Sequence, residues 1–269
     1  MSRYEKITEL ADYIASDVVS DKEHWMNFLN TASKVYKYPF QEQLLIYAQK
    51  PEATACASIE IWNKQMNCWV KRGSTGIVLI DKESQYPKLK YVFDVSDVVE
   101  APRIGHKPNL WDLQDDHKDT IIQQLENIYG VTDESLAFEE RLIEIAQRVS
   151  MDYYDNLILE LSSVIGRSAL DRFNAAELEM CVKGTLVDSV SYILLARCGT
   201  NMNLWKDAFL FEYIHEFNTK DTLYLLGDAT AELCKPILME IGKFIRHYEE
   251  KVNIKNSIEN TNKIDYNTG

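Results

Sequence analysis

The chain has 269 residues, of which 46% are hydrophobic and 26% charged, as is typical of a folded globular protein, so extensive disorder is not expected. No segment approaches the roughly 20 uncharged apolar residues of a membrane span, and the N-terminus lacks the apolar run of a signal peptide. We therefore expect a cytoplasmic protein without membrane contact. None of the five cysteines is spaced from another like the ligands of a zinc knuckle, which favours reduced, buried thiols.

The charge is unevenly distributed along the chain. The formal net charge is -13, yet residues 1–100 hold 12 basic and 14 acidic side chains, whereas the remaining residues hold 17 basic and 28 acidic ones. Positions 34–90 hold nine basic and five acidic residues. Because phosphate groups require cations, any nucleic-acid surface is expected within 34–90.

Apolar periodicity predicts three helices at the start of the chain, over 4–18, 22–34 and 41–49. Ser20 and Asp21 are candidate N-caps of the second helix, and Pro39 separates the second helix from the third. The pattern then changes to short segments rich in β-branched and aromatic residues at 53–57, 68–71, 77–80 and 90–95, with a short helix near 60–65. Residues 1–100 are therefore predicted to form a small α+β domain of helices packed on an antiparallel sheet.

A linker over 101–110 is predicted next, followed by an acidic, mostly α-helical domain over 111–250. Periodic segments at 121–129, 135–149, 152–164, 174–197 and 236–248 predict its helices, with breaks near Gly130, Gly166, Gly199 and Gly227. Residues 251–269 are rich in Asn, Lys and Thr, which indicates a flexible tail.

The sequence contains no recognisable catalytic motif. His215-Glu216 is the one His-Glu pair, but Thr219 stands where a zinc peptidase would place its second histidine. There is no Gly-x-Ser-x-Gly nucleophile elbow. We therefore expect a non-catalytic protein with no metal or cofactor, and an enzyme is the least favoured of the function classes considered.

Aromatic and basic residues alternate between positions 36 and 72. Residues 70–76 are predicted to be the turn of a hairpin between two strands. In this hairpin Lys71 and Arg72 lie beside Trp69, a combination that supplies cations for phosphates and a ring for a base. The candidate nucleic-acid-binding residues are Lys37, Tyr38, Gln43, Tyr47, Lys64, Trp69, Lys71 and Arg72. Two alternatives remain open: the aromatic residues, Tyr47 above all, could belong to the core, and Gln43 could be merely solvated.

Three motifs in this region resemble a known family. The run Tyr38-Pro39-Phe40-Gln41-Glu42-Gln43-Leu44-Leu45-Ile46-Tyr47-Ala48-Gln49-Lys50-Pro51-Glu52-Ala53-Thr54, the pair Trp62-Asn63, and Trp69-Val70-Lys71-Arg72-Gly73-Ser74-Thr75-Gly76-Ile77 are similar to the N-terminal, single-stranded-DNA-binding domain of ArdC-type antirestriction proteins. Glu42 stands where the family commonly has Asn. The resemblance implies binding of single-stranded DNA and protection of an incoming mobile element.

Further segments resemble a subgroup at the N-terminus of large helicase- or methyltransferase-like proteins of Gram-positive conjugative elements. They are Tyr91–Asp97, Ser189–Tyr192, Ala196–Gly199 and Glu216–Thr219. Two function hypotheses follow. In the first, the chain binds single-stranded DNA through residues 34–90. In the second, the acidic helical half binds and blocks a basic host partner, such as a nuclease or a CRISPR or restriction complex.

Overall fold

The computed structural model describes residues 1–81, 88–100, 110–205 and 207–266, and of these only the backbone for residue 100 and for 251–266. Positions 101–109 of the predicted linker and 267–269 of the predicted tail lie outside the described residues. The first part of the chain contains α1 (Arg3–Val18), α2 (Lys22–Lys34), α3 (Phe40–Gln49), β1 (Cys56–Ala57), α4 (Ile59–Lys64), β2 (Cys68–Val70), β3 (Ile77–Asp81), β4 (Lys88–Asp94) and β5 (Val98–Glu100).

The described residues of the second part contain helices and no strand. They contain α5 (Lys118–Tyr129), α6 (Phe138–Val164), α7 (Ala175–Arg197) and α8 (Lys220–Tyr266), joined by segments that include short 3-10 helices. The predicted α+β class, with a small antiparallel sheet and a mostly helical remainder, is confirmed. No helix in the described part of the chain is long and apolar enough to cross a membrane.

Local capping explains where several helices begin. The Ser2 hydroxyl accepts from the Glu5 N–H at 3.2 Å while the Glu5 carboxylate accepts from the Ser2 N–H at 2.6 Å, a reciprocal cap for α1. Of the two candidate caps of α2, Asp21 takes the role and accepts from the His24 N–H at 3.0 Å. These bonds satisfy N–H groups that the first helical turn leaves without partners.

The strands form two separate antiparallel sheets. One has the order β1-β4-β3, with Val78 opposite Tyr91, and the other is a ribbon in which β2 pairs with β5. The side-chain amide of Gln49 on α3 pairs with both the N–H and the C=O of Val78 at 2.9 Å. This contact covers the outer edge of β3, where a strand would otherwise present unpaired backbone groups.

Two hydrophobic cores lie on either side of the N-terminal helices. The smaller core joins α1 and α3 to the three-stranded sheet through residues such as Leu45, Ile46 and Leu79. The larger core continues from α2 and α3 into the second part of the chain, because α2 packs on α7 and α3 packs on α8. Trp25 lies at this contact, and its indole N–H donates to Ser189 Oγ at 3.0 Å.

The last helix is longer than predicted. A break was expected at Gly227 and a helix start at Pro236, yet α8 runs through both positions. Gly227 is needed for packing rather than for a break, since a Cβ at this position would lie 2.4 Å from the ring of Phe40. Buried residues on both sides of Pro236, such as Cys234 and Ile237, keep one apolar face continuous. That burial outweighs the roughly 3 kcal/mol cost of an interior proline.

Helix α6 also differs from the prediction. Two helices were expected over 135–149 and 152–164, whereas α6 is continuous from Phe138 to Val164. The two positions between the predicted helices are Ser150 and Met151. Neither is a glycine or a proline, so no helix-breaking residue ends α6 there.

Candidate nucleic-acid interface

The segment with the predicted basic turn connects two sheets. Residues 70–76 were expected to be a turn between paired strands, but β2 pairs with β5 and β3 pairs with β4. The hairpin prediction is therefore wrong, because the partner of β2 lies about 30 residues further along the chain and cannot be recognised from local alternation. The result is a two-stranded ribbon against which α4 packs.

One face of this ribbon is apolar and exposed. Trp69 lies directly opposite Val99, so both side chains point to the same face. Trp69 is 52% exposed and Val99 is 46% exposed, whereas the preceding Cys68, on the opposite face, is buried. Three residues in or next to α4 are also exposed: Ile59, Ile61 and Met66. The adjacent exposed pair Trp69 and Val99 forms an apolar patch of the kind found at binding surfaces.

Cations lie at both ends of β2. Lys64 ends α4 shortly before the strand, and Lys71 and Arg72 follow it immediately; all three are exposed. Residues 59–72 contain these three bases and a single acid, Glu60. Within the described residues, no carboxylate forms an ion pair with any of the three cations. The segment 59–72 therefore has a local excess of positive charge in a molecule of formal net charge -13, while the paired strand β5 contributes one acid, Glu100.

A hydrogen-bond network fixes the end of the ribbon next to Lys71. The Lys71 N–H donates to the Asp97 carbonyl at 2.8 Å, and its ammonium donates to the Ser96 carbonyl at 2.7 Å. The carboxylate of Asp97 is paired with Lys50, at 2.8 Å, and not with Lys71. A carbonyl orients an ammonium without neutralising it, so the charge of Lys71 remains available to an anion.

Asp94 anchors the same network from inside the fold. Its buried carboxylate accepts from the N–H groups of Thr54, Ala55 and Ser96 at 2.7 to 3.0 Å. Burial alone would raise the pKa of this carboxyl, but the hydrogen bonds from Ser96, Ala55 and Thr54 outweigh burial and hold it below its ordinary value. The Tyr91–Asp97 motif thus includes a residue that joins β4 to the start of β1.

The other predicted contact residues lie outside α4 and the ribbon. The prediction for Gln43, including its solvated alternative, is wrong: the side chain is 2% exposed and its amide donates to the Tyr38 carbonyl at 2.9 Å. Tyr38 is half-buried, its hydroxyl donates to the Cys56 carbonyl at 2.7 Å, and burial raises the pKa of that hydroxyl. Tyr47 packs edge-on against Phe28 with ring centres 5.8 Å apart. Neither tyrosine presents a free ring for stacking.

Lys37 is exposed but lies in the turn between α2 and α3, with its ammonium 5.9 Å from the ring centre of Tyr36. Four of the eight predicted residues lie in or directly after α4 and β2: Lys64, Trp69, Lys71 and Arg72. Glu42, the acidic residue beside Gln43 at the start of α3, forms an ion pair with Lys90 at 2.8 Å. Its charge is thus compensated within the fold.

Several motif residues stabilise the fold instead of facing solvent. Trp62 is 2% exposed and donates its indole N–H to the Phe93 carbonyl at 2.8 Å. Arg197 lies 3.4 Å from the ring centre of Trp111 and donates to the Trp111 carbonyl at 2.9 Å. These contacts show that aromatic and basic residues of the segments singled out in the sequence can be part of the core.

Val99 could not be recognised from the sequence, although it forms half of the exposed pair. A three-residue strand has too little alternation to show which face it presents, and only its pairing with β2 reveals that Val99 lies beside Trp69. The exposed isoleucines of α4 gave no signal either, because six residues are too few for helical periodicity.

The His215-Glu216 pair is held by contacts within the fold. Buried Glu216 binds the guanidinium of Arg172 and lies 3.0 Å from His215 Nε2. Asn218 accepts from the Ala169 N–H at 3.0 Å, so the two segments are held together. Within the described residues, no three His, Cys, Asp or Glu side chains are grouped as metal ligands.

Comparison with known proteins adds no further assignment. No protein-family model matches the chain, and neither a curated protein nor a solved structure is significantly similar to it.

Proposed function

We propose that this chain binds single-stranded DNA through the ribbon face, defined as Trp69 and Val99 with the flanking cations Lys64, Lys71 and Arg72. The observation that carries the proposal is the exposed indole between cations that no described carboxylate neutralises. Binding of single strands without strong sequence preference requires this combination of cations for the backbone and a ring for the bases.

The biological role that we propose is protection of a mobile genetic element from host defence. It rests on the three motifs that resemble ArdC-type domains, of which the third, Trp69–Ile77, begins on the ribbon face. The chain would act by binding and not by catalysis, and it would need no cofactor. A transferred single strand that is covered by protein is a poor substrate for a nuclease.

Fluorescence anisotropy with a labelled single strand at two salt concentrations tests the binding proposal. We expect affinity that falls with salt, because cations that bind phosphates release counterions. The double variant Lys71→Ala, Arg72→Ala should bind more weakly and reduce the slope of log affinity against log salt by roughly 1.4, at about 0.7 for each lost phosphate contact.

A matched control removes the same charge elsewhere. Lys6 on α1 and Lys235 on α8 are both exposed, so Lys6→Ala, Lys235→Ala has the same net charge as the test variant. Equal weakening of both double variants would show that only overall charge matters and would contradict a local site. Absence of binding by the wild-type chain at low salt would contradict DNA binding altogether.

A second candidate function has one specific observation in its favour. A groove of about 350 Å³ between α6 and α8 is lined by three acids and one base, in the part of the chain with the acidic excess: Glu160, Asp221, Asp228 and Lys220. Such a surface favours encounter with a basic protein, as a host nuclease or CRISPR or restriction complex would be. Capture of such a complex by the wild-type chain, and its loss on Glu160→Lys, Asp221→Lys, would support this function.

A further inference from the structure

The ribbon face has a geometry that limits what it can bind. In the described part of the chain, no aromatic ring packs against Trp69 and no acceptor takes its indole N–H. This differs from Trp25, Trp62 and Trp111, whose indole N–H groups all donate to acceptors within the fold. One face of the Trp69 ring is therefore open to a planar partner.

Trp69 lies in a short ribbon opposite a single cross-strand partner. Its cross-strand partner Val99 stands about 5 Å away and supports one side, as directly paired residues do in an antiparallel ribbon. The strand β2 has three residues and a length of about 10 Å. Lys64 precedes this strand in the chain, and Lys71 and Arg72 follow it directly.

We infer that Trp69 and Val99 form a stacking site for one unpaired base, whose two flanking phosphates are bound by Lys64 on one side and by Lys71 and Arg72 on the other. The inference rests on the proposed function and specifies its ligand: an unpaired stretch of nucleic acid, and not a duplex. In a duplex the faces of the bases are already stacked on each other, and exposing one costs a few kcal/mol.

The stacking site therefore sets the preference for single strands, whereas the cations contribute to the affinity for every nucleic acid, single-stranded or duplex. Trp69→Ala should weaken binding of a labelled oligothymidine by about 5- to 150-fold, which corresponds to one lost stack. Binding of a duplex of the same charge should change by less than about twofold, because its phosphate contacts are unaltered. The variant should thus lose selectivity and keep its salt dependence.

Three matched variants separate stacking from other effects of the substitution. Trp69→Phe keeps an aromatic face and should keep most of the affinity, whereas Trp69→Leu keeps apolar area without a ring and should behave like Trp69→Ala. Tyr13→Ala removes an exposed aromatic residue of α1 and should leave affinity unchanged. Circular dichroism and thermal unfolding of each variant establish that the fold is retained.

The outcomes distinguish this inference from the proposed function. If Lys71→Ala, Arg72→Ala weakens binding and Trp69→Ala does not, the chain binds DNA without stacking, and the inference is overturned while the proposed function stands. Equal loss of single-strand and duplex affinity in Trp69→Ala would also overturn it. If the wild-type chain binds neither nucleic acid at low salt, the inference and the proposed function both fail.

Discussion

The ribbon face and the junction around Phe40, where α3 packs against α2 and α8, both contain aromatic residues. The rings are covered at the junction and exposed on the ribbon face. At the junction, Phe40 is almost fully buried and its ring meets Trp25, Phe28 and Tyr224 at centre distances of 5.5 to 6.4 Å. On the ribbon, Trp69 is half exposed and no described ring packs against it. Both residues lie in the stretch of alternating aromatic and basic residues between positions 36 and 72. Position within this stretch does not decide whether a ring is buried or exposed, because neighbours from distant parts of the chain determine which rings are covered.

Replacing the two aromatic residues tests this contrast most directly. Phe40→Ala should lower the free energy of unfolding by about 3–5 kcal/mol, because it leaves a cavity among three rings. Trp69→Ala should change it by no more than about 0.5 kcal/mol, as is usual for an exposed position. Urea unfolding followed by circular dichroism measures both values. Similar losses in the two variants would mean that Trp69 is also a packing residue.

A pair of glycines tests whether close packing determines the junction. Gly227→Ala should destabilise the protein by about 1–3 kcal/mol, since the new methyl group would overlap the Phe40 ring. Gly184→Ala on α7 meets no atom within 4 Å and should stabilise the protein by up to about 1 kcal/mol through helix propensity. Thermal unfolding of both variants measures the difference. Stabilisation by Gly227→Ala would show that Phe40 can move away and that the junction is loose.

Acid unfolding provides a smaller and more local test, because the junction contacts around Phe40 are apolar and should not depend on pH. The pKa of Glu126 on α5 is about 2, below the ordinary 4.5, through hydrogen bonds from Thr132 and then from Arg141. A depressed pKa means that the ionised carboxylate stabilises the folded state at pH values above about 4.5. This contribution is lost as the pH falls toward about 2.

Glu126→Gln should therefore lower stability at neutral pH and flatten the dependence of the unfolding free energy on pH within that window. Glu134→Gln, which changes an exposed carboxylate nearby, should follow the wild-type curve. Urea unfolding at a series of pH values compares the three proteins. An unchanged slope in Glu126→Gln would assign the acid sensitivity to other carboxylates.

Much of the fold could be predicted from local signals. Helices α1, α2 and α3 were predicted to within one residue at each end, because caps such as Asp21 and the break at Pro39 act over a few residues. The errors occurred where a local breaker was overruled by packing, as at Gly227 and Pro236, or where a strand pairs with a distant partner, as β2 does with β5. Such interactions leave no trace in a short window of sequence.

The candidate site was predicted only in part for the same reason. Lys64, Trp69, Lys71 and Arg72 could be recognised because cations and a ring alternate over a short segment. Gln43 and Tyr38 belong to an equally promising segment, yet α3 turns the amide of Gln43 inward to the Tyr38 carbonyl. Val99 could not be found, since its role depends on pairing across the ribbon.

Composition, charge distribution and periodicity were thus sufficient for the α+β class, for most helices and for the region in which a cationic surface could form, because these properties depend on residues close together in the chain. Tertiary structure decided which aromatic residues are covered, which cations lie beside carboxylates and which strands pair. Burial and pairing join residues far apart in sequence, as Phe40 with Gly227 and Trp69 with Val99. For that reason the exposed ring between cations became visible only in the folded chain.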